Sequence, residues 1–388
     1  MKQRVMGKTG ESVSILGFGC MRLPVAGPNP SCIDEDMAIA MIRKAISRGV
    51  NYVDTAWPYH GAKGFAEPGA SEPLVGKALA GGWREKVKVA TKLPSWLVKN
   101  RADMNRCLDL QLKRLGTSHI DFYLAHTLNA RYWAALQQAD LAGFFEEARK
   151  DGRIKHAGFS FHDRFSVFQD IVEGYDWDFA QVQYNYLDQA YQAGKDGVKL
   201  AAKKGMGLVI MEPLRGGFLV NQMPEALRAH LAQVRPTWSL ADWGFRWLWN
   251  QPEISVVLSG MNAMEQVEEN LNIADTDEAF TDADEAAVNF VRDTFLSRIK
   301  VGCTACGYCM PCPEGVNIPR NFMLYNDYHL TDNENARNHI KYIYGNLVLE
   351  PGETADHCQS CGQCEEKCPQ QLPVSEFMTD VADLFCPK

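Results

Sequence analysis

Eight times between Ile15 and Ile273 a short apolar run is followed by a stretch of helical hydrophobic period, and that alternation leaves few folds open. The apolar runs are Ile15 to Gly19, Tyr52 to Ala56, Val87 to Lys92, Ile120 to His126, Ile154 to Phe161, Phe179 to Tyr186, Gly207 to Pro213 and Ile254 to Ser259. Behind them come helical stretches at Asp36 to Arg48, from Ser71 with Pro73 in its first turn, Asp103 to Leu115, Trp133 to Lys150, Phe165 to Glu173, Tyr191 to Lys204, Leu240 to Asn250 and Met264 to Ile273. An open sheet of eight strands would show a polar edge somewhere. None is evident, so the pattern predicts an α/β chain closed into a (β/α)8 TIM barrel. Gln3 to Leu16 reads as two short strands about the turn Gly7 to Gly10, closing the non-catalytic end. Asp282 to Arg298, with Thr281 as N-cap, reads as a terminal helix that hands the chain to a second domain near Arg298 to Gly302. The expected division is 1–298 and 299–388.

Barrel strands open into loops at their carboxyl ends, where catalytic groups collect. Asp54 lies at such an end, with Tyr59 five residues on. A tyrosine with an ordinary pKa of about 10 is a poor acid at neutral pH unless an ammonium stabilises its phenolate. Lys92 closes the next apolar run and can supply that ammonium, held charged by Asp54. His126 closes the run after that and can orient a carbonyl against the phenol.

The formal net charge is −8, with 40 basic against 48 acidic residues and no basic run that could track a phosphate backbone, so nucleic acid is not an expected partner. The N-terminus lacks the apolar stretch of a secretion signal and no later run approaches a membrane span. A cytoplasmic location, with no membrane partner, is expected. In that setting the twelve cysteines read as metal ligation rather than disulfides, because eight of them crowd into two short segments.

Those segments are Cys303-x2-Cys306-x2-Cys309-x2-Cys312-Pro313 and Cys358-x2-Cys361-x2-Cys364-x3-Cys368-Pro369. Zinc sites of four cysteines also use Cys-x2-Cys pairs, but they have no use for a third cysteine at the same gap or for a Cys-Pro ending. The spacing resembles that of two-cluster ferredoxins, with a long, partly helical segment between the motifs that includes Asn335 to Tyr344. The resemblance implies a small, mainly helical ferredoxin-like iron-sulfur domain with two [4Fe-4S] clusters. One would be held by Cys303, Cys306, Cys309 and Cys368, the other by Cys358, Cys361, Cys364 and Cys312.

Asp54, Tyr59, Lys92 and His126, with Asp54-Thr55-Ala56, Ser71-Glu72 and Gly76-Lys77-Ala78-Leu79 around them, resemble the aldo-keto reductase family. That family carries an Asp, Tyr, Lys and His tetrad in this order and uses NAD(P)H on carbonyl or alcohol substrates. The resemblance implies that Ser160 and Gln181 hold the nicotinamide carboxamide, and that Met211 stands where many members stack an aromatic ring. Leu214, Arg215 and Gly216 would supply the loop at the pyrophosphate, and Ser259, Gly260, Gln266 and Asn270 the adenosine segment. NADP-preferring members place Lys and Arg where this chain has Gly260 and Gln266, so a preference for NADPH is expected to be weak or absent, with Arg215 the alternative cation.

Hydride transfer moves two electrons together, whereas a [4Fe-4S] cluster passes one at a time. The chain therefore reads as a carbonyl/alcohol oxidoreductase fused to an electron-transfer module, with Tyr59 as general acid. A flavin such as FMN in the barrel's phosphate site, a redox partner protein, or a redox-sensing or regulatory role remain open from the sequence. Two complete cysteine sets predict about eight iron and eight acid-labile sulfide per chain. Elemental analysis of anaerobically purified protein checks this, and tightly bound zinc without sulfide would refute it.

Overall fold

Along each strand every second residue points into the barrel, and the structure, a computed structural model, shows that this alternation carries the chain from its core to its site. It describes residues 1–62, 67–221, 223–303, 309–344, 349, 352–368 and 370–386. By packing, the chain divides into two compact units, 1–215 with 241–280 and 216–240 with 281–388.

The first unit opens with an antiparallel hairpin, β1 (Gln3–Val5) and β2 (Ser12–Ser14). Eight parallel strands follow: β3 (Leu16–Gly19), β4 (Tyr52–Asp54), β5 (Lys88–Leu93), β6 (Ile120–Leu128), β7 (Ile154–Phe161), β8 (Phe179–Gln183), β9 (Gly207–Met211) and β10 (Val256–Gly260). They pair in sequence order, and β10 closes on β3, so the predicted eight-stranded barrel is present. Its lumen is filled by Tyr52, Ala90, Phe122, Leu124, Phe179, Val209, Val256 and Leu258, with Met6 and Val13 of the hairpin beneath them. Two residues further along the same inward columns stand Asp54, Lys92, His126, Gln181, Met211 and Gly260. The packing of the lumen thus fixes where these groups emerge.

Several boundaries differ from expectation. β4 stops at Asp54 rather than Ala56, β8 at Gln183 rather than Tyr186, and β9 at Met211 rather than Pro213, because ladder pairing ends where the chain turns into its loop. The expected helix from Trp133 to Lys150 is two helices, Ala130–Gln138 and Leu141–Lys150. Asp140 breaks it by adopting a left-handed backbone, φ 62°, and its carboxylate accepts from the Gly143 amide to cap the second helix. Phe218–Asn221 and Glu225–Val234 are helices that the apolar pattern did not announce.

In the second unit Arg235 makes a bidentate ion pair with Asp284, and Thr281 with Asp284 forms a capping box on the helix Asp282–Ser297. Helices Ile318–Leu330, Glu334–Ile343 and Val374–Phe385 surround a core of Val316, Phe322, Tyr325, Ile340, Val374 and Met378. Among the described residues no helix is long and apolar enough to cross a membrane.

The hairpin seats on the barrel floor through Gly7, whose φ is +50° and whose missing Cβ would lie 2.3 Å from the Gly207 nitrogen. Arg4 ties it further to the carbonyls of Trp249, Gln251 and Ile254. A Gly7→Ala substitution meets backbone rather than a movable side chain and is expected to cost about 1–3 kcal/mol. Denaturant unfolding followed by tryptophan fluorescence measures it.

Candidate functional site

Lys92 is the group about which the site is built. Its side chain is fully buried, and its three ammonium protons have three acceptors: Asp54 Oδ1 at 2.6 Å, the Thr55 carbonyl at 2.9 Å and the Tyr59 hydroxyl at 3.1 Å. The second oxygen of Asp54 accepts from Gln181 Nε2 at 3.0 Å. Burial alone would lower the pKa of Lys92. The Asp54 carboxylate and the Tyr59 oxygen outweigh it and raise its pKa above the ordinary lysine value, so the ammonium persists. Burial pushes the Asp54 carboxyl up, against the pull of Lys92 and Gln181.

For Tyr59 the outcome departs from the sequence expectation in one respect. Lys92 draws its pKa down as anticipated, but burial is the larger influence and Asp54 adds to it, so the phenol stands above its ordinary value. Part of the residue stays open to solvent, which moderates that push. Tyr59 is therefore protonated at neutral pH and is a donor. His126 lies edge-on to it, ring centroids 6.2 Å apart, and the Trp96 ring is tilted against His126 at 5.2 Å. Burial first, then the Lys92 charge and His162, hold His126 well below the ordinary imidazole value, so it is neutral. Its Nδ1 is buried with no hydrogen-bond partner among the described residues.

The structure thus brings Asp54, Tyr59, Lys92 and His126 together. It places the other barrel residues more variously. Ser160, next to the end of β7, pairs with Gln181, and its hydroxyl oxygen accepts from the Thr127 amide at 2.7 Å, which leaves its own proton free to donate. Gln181 directs its amide nitrogen at Asp54 rather than outward. Met211 closes β9. Leu214 packs under Gly244, and Arg215 reaches Asp188 at 3.4 Å. Gly216, with φ 64°, begins the second unit. Ser259 faces the helix Met264–Asp275 and accepts from Asn270 Nδ2 at 2.9 Å, so this pair braces the helix. Gln266 accepts from the Asn262 amide at 2.9 Å and pins the turn after Gly260. Gly260 itself borders Arg22, whose side chain would sit 3.4 Å from a Cβ there and whose guanidinium is 3.7 Å from Glu212. The sequence reading missed Arg22, since nothing in its spacing announces that the β3 loop folds over β10.

In the second unit Cys303, Cys309, Cys312, Cys358, Cys361, Cys364 and Cys368 lie among the described residues, whereas Cys306 and Pro369 lie outside them. Cys303, Cys309, Cys312, Cys358 and Cys364 pack against the hydrophobic core. Asn326 fixes the approach to Cys303, accepting from Lys300 and Val301 and donating to the Val301 carbonyl. The Tyr344 hydroxyl bonds Asn321 and accepts from the Ala355 amide, three residues before Cys358. Thiols lying on an apolar core suit the donor set of an iron-sulfur cluster. Among the described residues no three His, Cys, Asp or Glu groups gather closely enough for a single ion.

Comparison with known proteins adds a family description to each region. Residues 15–290 match the model of the aldo/keto reductase family, and residues 302–372 match that of a 4Fe-4S dicluster domain. The chain is 30% identical over 245 residues to a probable aldo-keto reductase 1 of Glycine max, covering 58% of this chain and 65% of that protein. It is 24% identical over 302 residues to the uncharacterized oxidoreductase YqkF of Bacillus subtilis, covering 71% and 91%. Among solved structures, the holo form of aldo-keto reductase AKR11C1 from Bacillus halodurans superposes with a TM-score of 0.63 at 24% identity, covering 75% of this chain and 96% of that one. That likeness shows the fold.

Neutralising Asp54 alone strands a buried ammonium. Asp54→Asn is therefore expected to destabilise the barrel by about 3–5 kcal/mol, whereas Asp54→Asn combined with Lys92→Met should recover most of the loss. Denaturation midpoints of the two variants decide it.

Proposed function

This chain belongs to the aldo/keto reductase family and carries a 4Fe-4S dicluster domain, and from that premise we propose that its barrel interconverts small carbonyl compounds and alcohols, with Tyr59 as the general acid. The observation that carries this reading is the triple engagement of Lys92 with Asp54, Thr55 and Tyr59 at the carboxyl ends of adjacent strands. NAD(P)H, the cofactor usual in the family, supplies a hydride when bound. The Ser160 hydroxyl, the Gln181 carbonyl oxygen and Met211 would border its nicotinamide. Leu214, Arg215 and Gly216 would serve the pyrophosphate, and Gly260, Gln266 and the Ser259–Asn270 pair the adenosine end.

The residues then divide the work on the substrate. His126, neutral, can donate a hydrogen bond to the carbonyl oxygen and orient it toward the Tyr59 hydroxyl. As the carbonyl carbon is reduced, its oxygen gains charge and takes the proton of Tyr59. Lys92, kept charged by Asp54, stabilises the phenolate left behind, and solvent returns the proton. In the reverse direction the same phenolate is the base.

Functionally, residues 1–298 would carry this chemistry and 299–388 the clusters, with Cys303, Cys306, Cys309, Cys312, Cys358, Cys361, Cys364 and Cys368 as ligands. The clusters would exchange single electrons with a redox partner protein. Arg22 beside Gly260 adds a cation to the adenosine end, where the sequence shows only neutral groups. Discrimination between NADH and NADPH would then rest on Arg22 and Arg215.

The test is turnover of a panel of small aldehydes and ketones by the anaerobic holoprotein. Tyr59→Phe should lower kcat by about 100-fold or more. In the native chain, carbonyl reduction requires the protonated phenol. Its rate should fall as pH rises through the Tyr59 pKa, above the ordinary tyrosine value, while alcohol oxidation rises. Undiminished reduction by Tyr59→Phe removes the assignment. A flavin absorbance band in the same preparation, with no binding of either nicotinamide, would replace NAD(P)H by FMN.

A further inference from the structure

Behind the strand that carries Lys92 stands a second buried charge, which the mechanism above does not use. Glu72 has no exposed surface. Its Oε1 accepts from the Thr91 hydroxyl at 2.8 Å and from Gln111 Nε2 at 2.7 Å, and its Oε2 accepts from Arg114 Nε at 2.9 Å. Resting on the general-acid reading, we infer that Glu72 is a positioning residue, anchoring the Lys92 strand and the Tyr59 loop to one point and so fixing the separation of Lys92 Nζ from Tyr59 Oη.

The connections run in both directions from the carboxylate. Toward Lys92, Thr91 is its chain neighbour, and Gln111 Nε2 also donates to the Lys92 carbonyl at 3.0 Å while its oxygen accepts from the Tyr123 hydroxyl at 2.7 Å. Toward Tyr59, the helix Ser71–Leu79 begins with the Ser71 amide donating to the Tyr59 carbonyl at 3.2 Å. Arg114 extends the link by bonding the Gly69 carbonyl, and the Gly69 amide donates to Trp57. Gly76 makes this geometry attainable: a Cβ there would lie 2.8 Å from the Leu115 carbonyl, so the two helices approach closely enough for Gln111 and Arg114 to reach Glu72. A buried carboxylate balanced by one guanidinium and two neutral donors is stiff, because any displacement leaves a buried polar group without a partner. None of its partners touches the Lys92 ammonium or the Tyr59 hydroxyl. The effect on chemistry is therefore transmitted through the backbone at Lys92 and Tyr59.

Two variants separate positioning from simple support. Gln111→Met keeps the volume and the Glu72–Arg114 pair but removes the bond to the Lys92 carbonyl; Glu72→Gln keeps one acceptor and removes the charge. In the anaerobic holoprotein each should lower kcat for carbonyl reduction by about tenfold to a hundredfold. KM should stay near its native value. The alkaline limb of the pH–rate profile should move upward, since a retreating ammonium stabilises the phenolate less. Crystal structures of both variants should show the Lys92 Nζ to Tyr59 Oη distance lengthened from 3.1 Å. Folded variants with native kcat, a native alkaline limb and an unchanged distance would overturn the inference, whatever their loss of thermal stability. If Tyr59→Phe proves as active as the native chain, the general-acid reading fails instead. The positioning role is then decided by the distance alone, lengthening supporting it and constancy refuting it.

Discussion

Everything at the carboxyl end of the barrel is arranged around one ammonium that has left water. Taking a lysine and an aspartate into a protein interior costs several kcal/mol for each ion, and their attraction offsets this only when every donor and acceptor is matched. Lys92 has three protons and three acceptors, and Asp54 has one oxygen for Lys92 and the other for Gln181. The tetrahedral shape of the ammonium then leaves little choice about where the Tyr59 hydroxyl can lie. Moving it away would leave an N–H of a buried cation unsatisfied, so the requirement for stability selects the geometry on which the proposed acid catalysis depends.

Much of this was legible because barrel strands convert sequence spacing into position. Asp54, Lys92 and His126 each stand two residues beyond an inward apolar residue, Tyr52, Ala90 and Leu124, so period two alone carries them to the rim. What the sequence did not reveal depends on contacts across long separations. Glu72 meets Gln111 and Arg114 from a neighbouring helix, Gln181 meets Asp54 across the lumen, and Arg22 meets Gly260 where the last strand closes on the first. No local period encodes such meetings. The same limit holds for the bond from Asn270 to the Ser259 hydroxyl, which joins the last barrel strand to the helix behind it.

The cysteine segments were readable for the opposite reason. A cluster with ligands two residues apart draws its geometry from adjacent sequence, so the spacing is itself the structural information. The segment between the motifs gave a weaker signal, and its order comes from the Tyr344 hydroxyl, which ties Asn321 to the Ala355 amide. Helix breaks were less legible: Asp140 divides one expected helix because a short polar side chain can tolerate a left-handed backbone and cap the next turn, and neither property interrupts an apolar periodicity.

The direction of the Tyr59 shift bears on which way such a site works. Burial raises the phenol's pKa more than the ammonium lowers it, which favours a protonated tyrosine. A neutral His126 beside it adds a hydrogen-bond donor without adding a competing charge, because a protonated imidazole next to Lys92 would weaken the very ammonium that stabilises the phenolate. A proton to give and a cation beside it to stabilise the phenolate are what the proposed reduction of a carbonyl requires. Under the proposed reading, oxidation of an alcohol through the same groups must begin by removing that proton against the effect of burial, so it needs a higher pH than carbonyl reduction does.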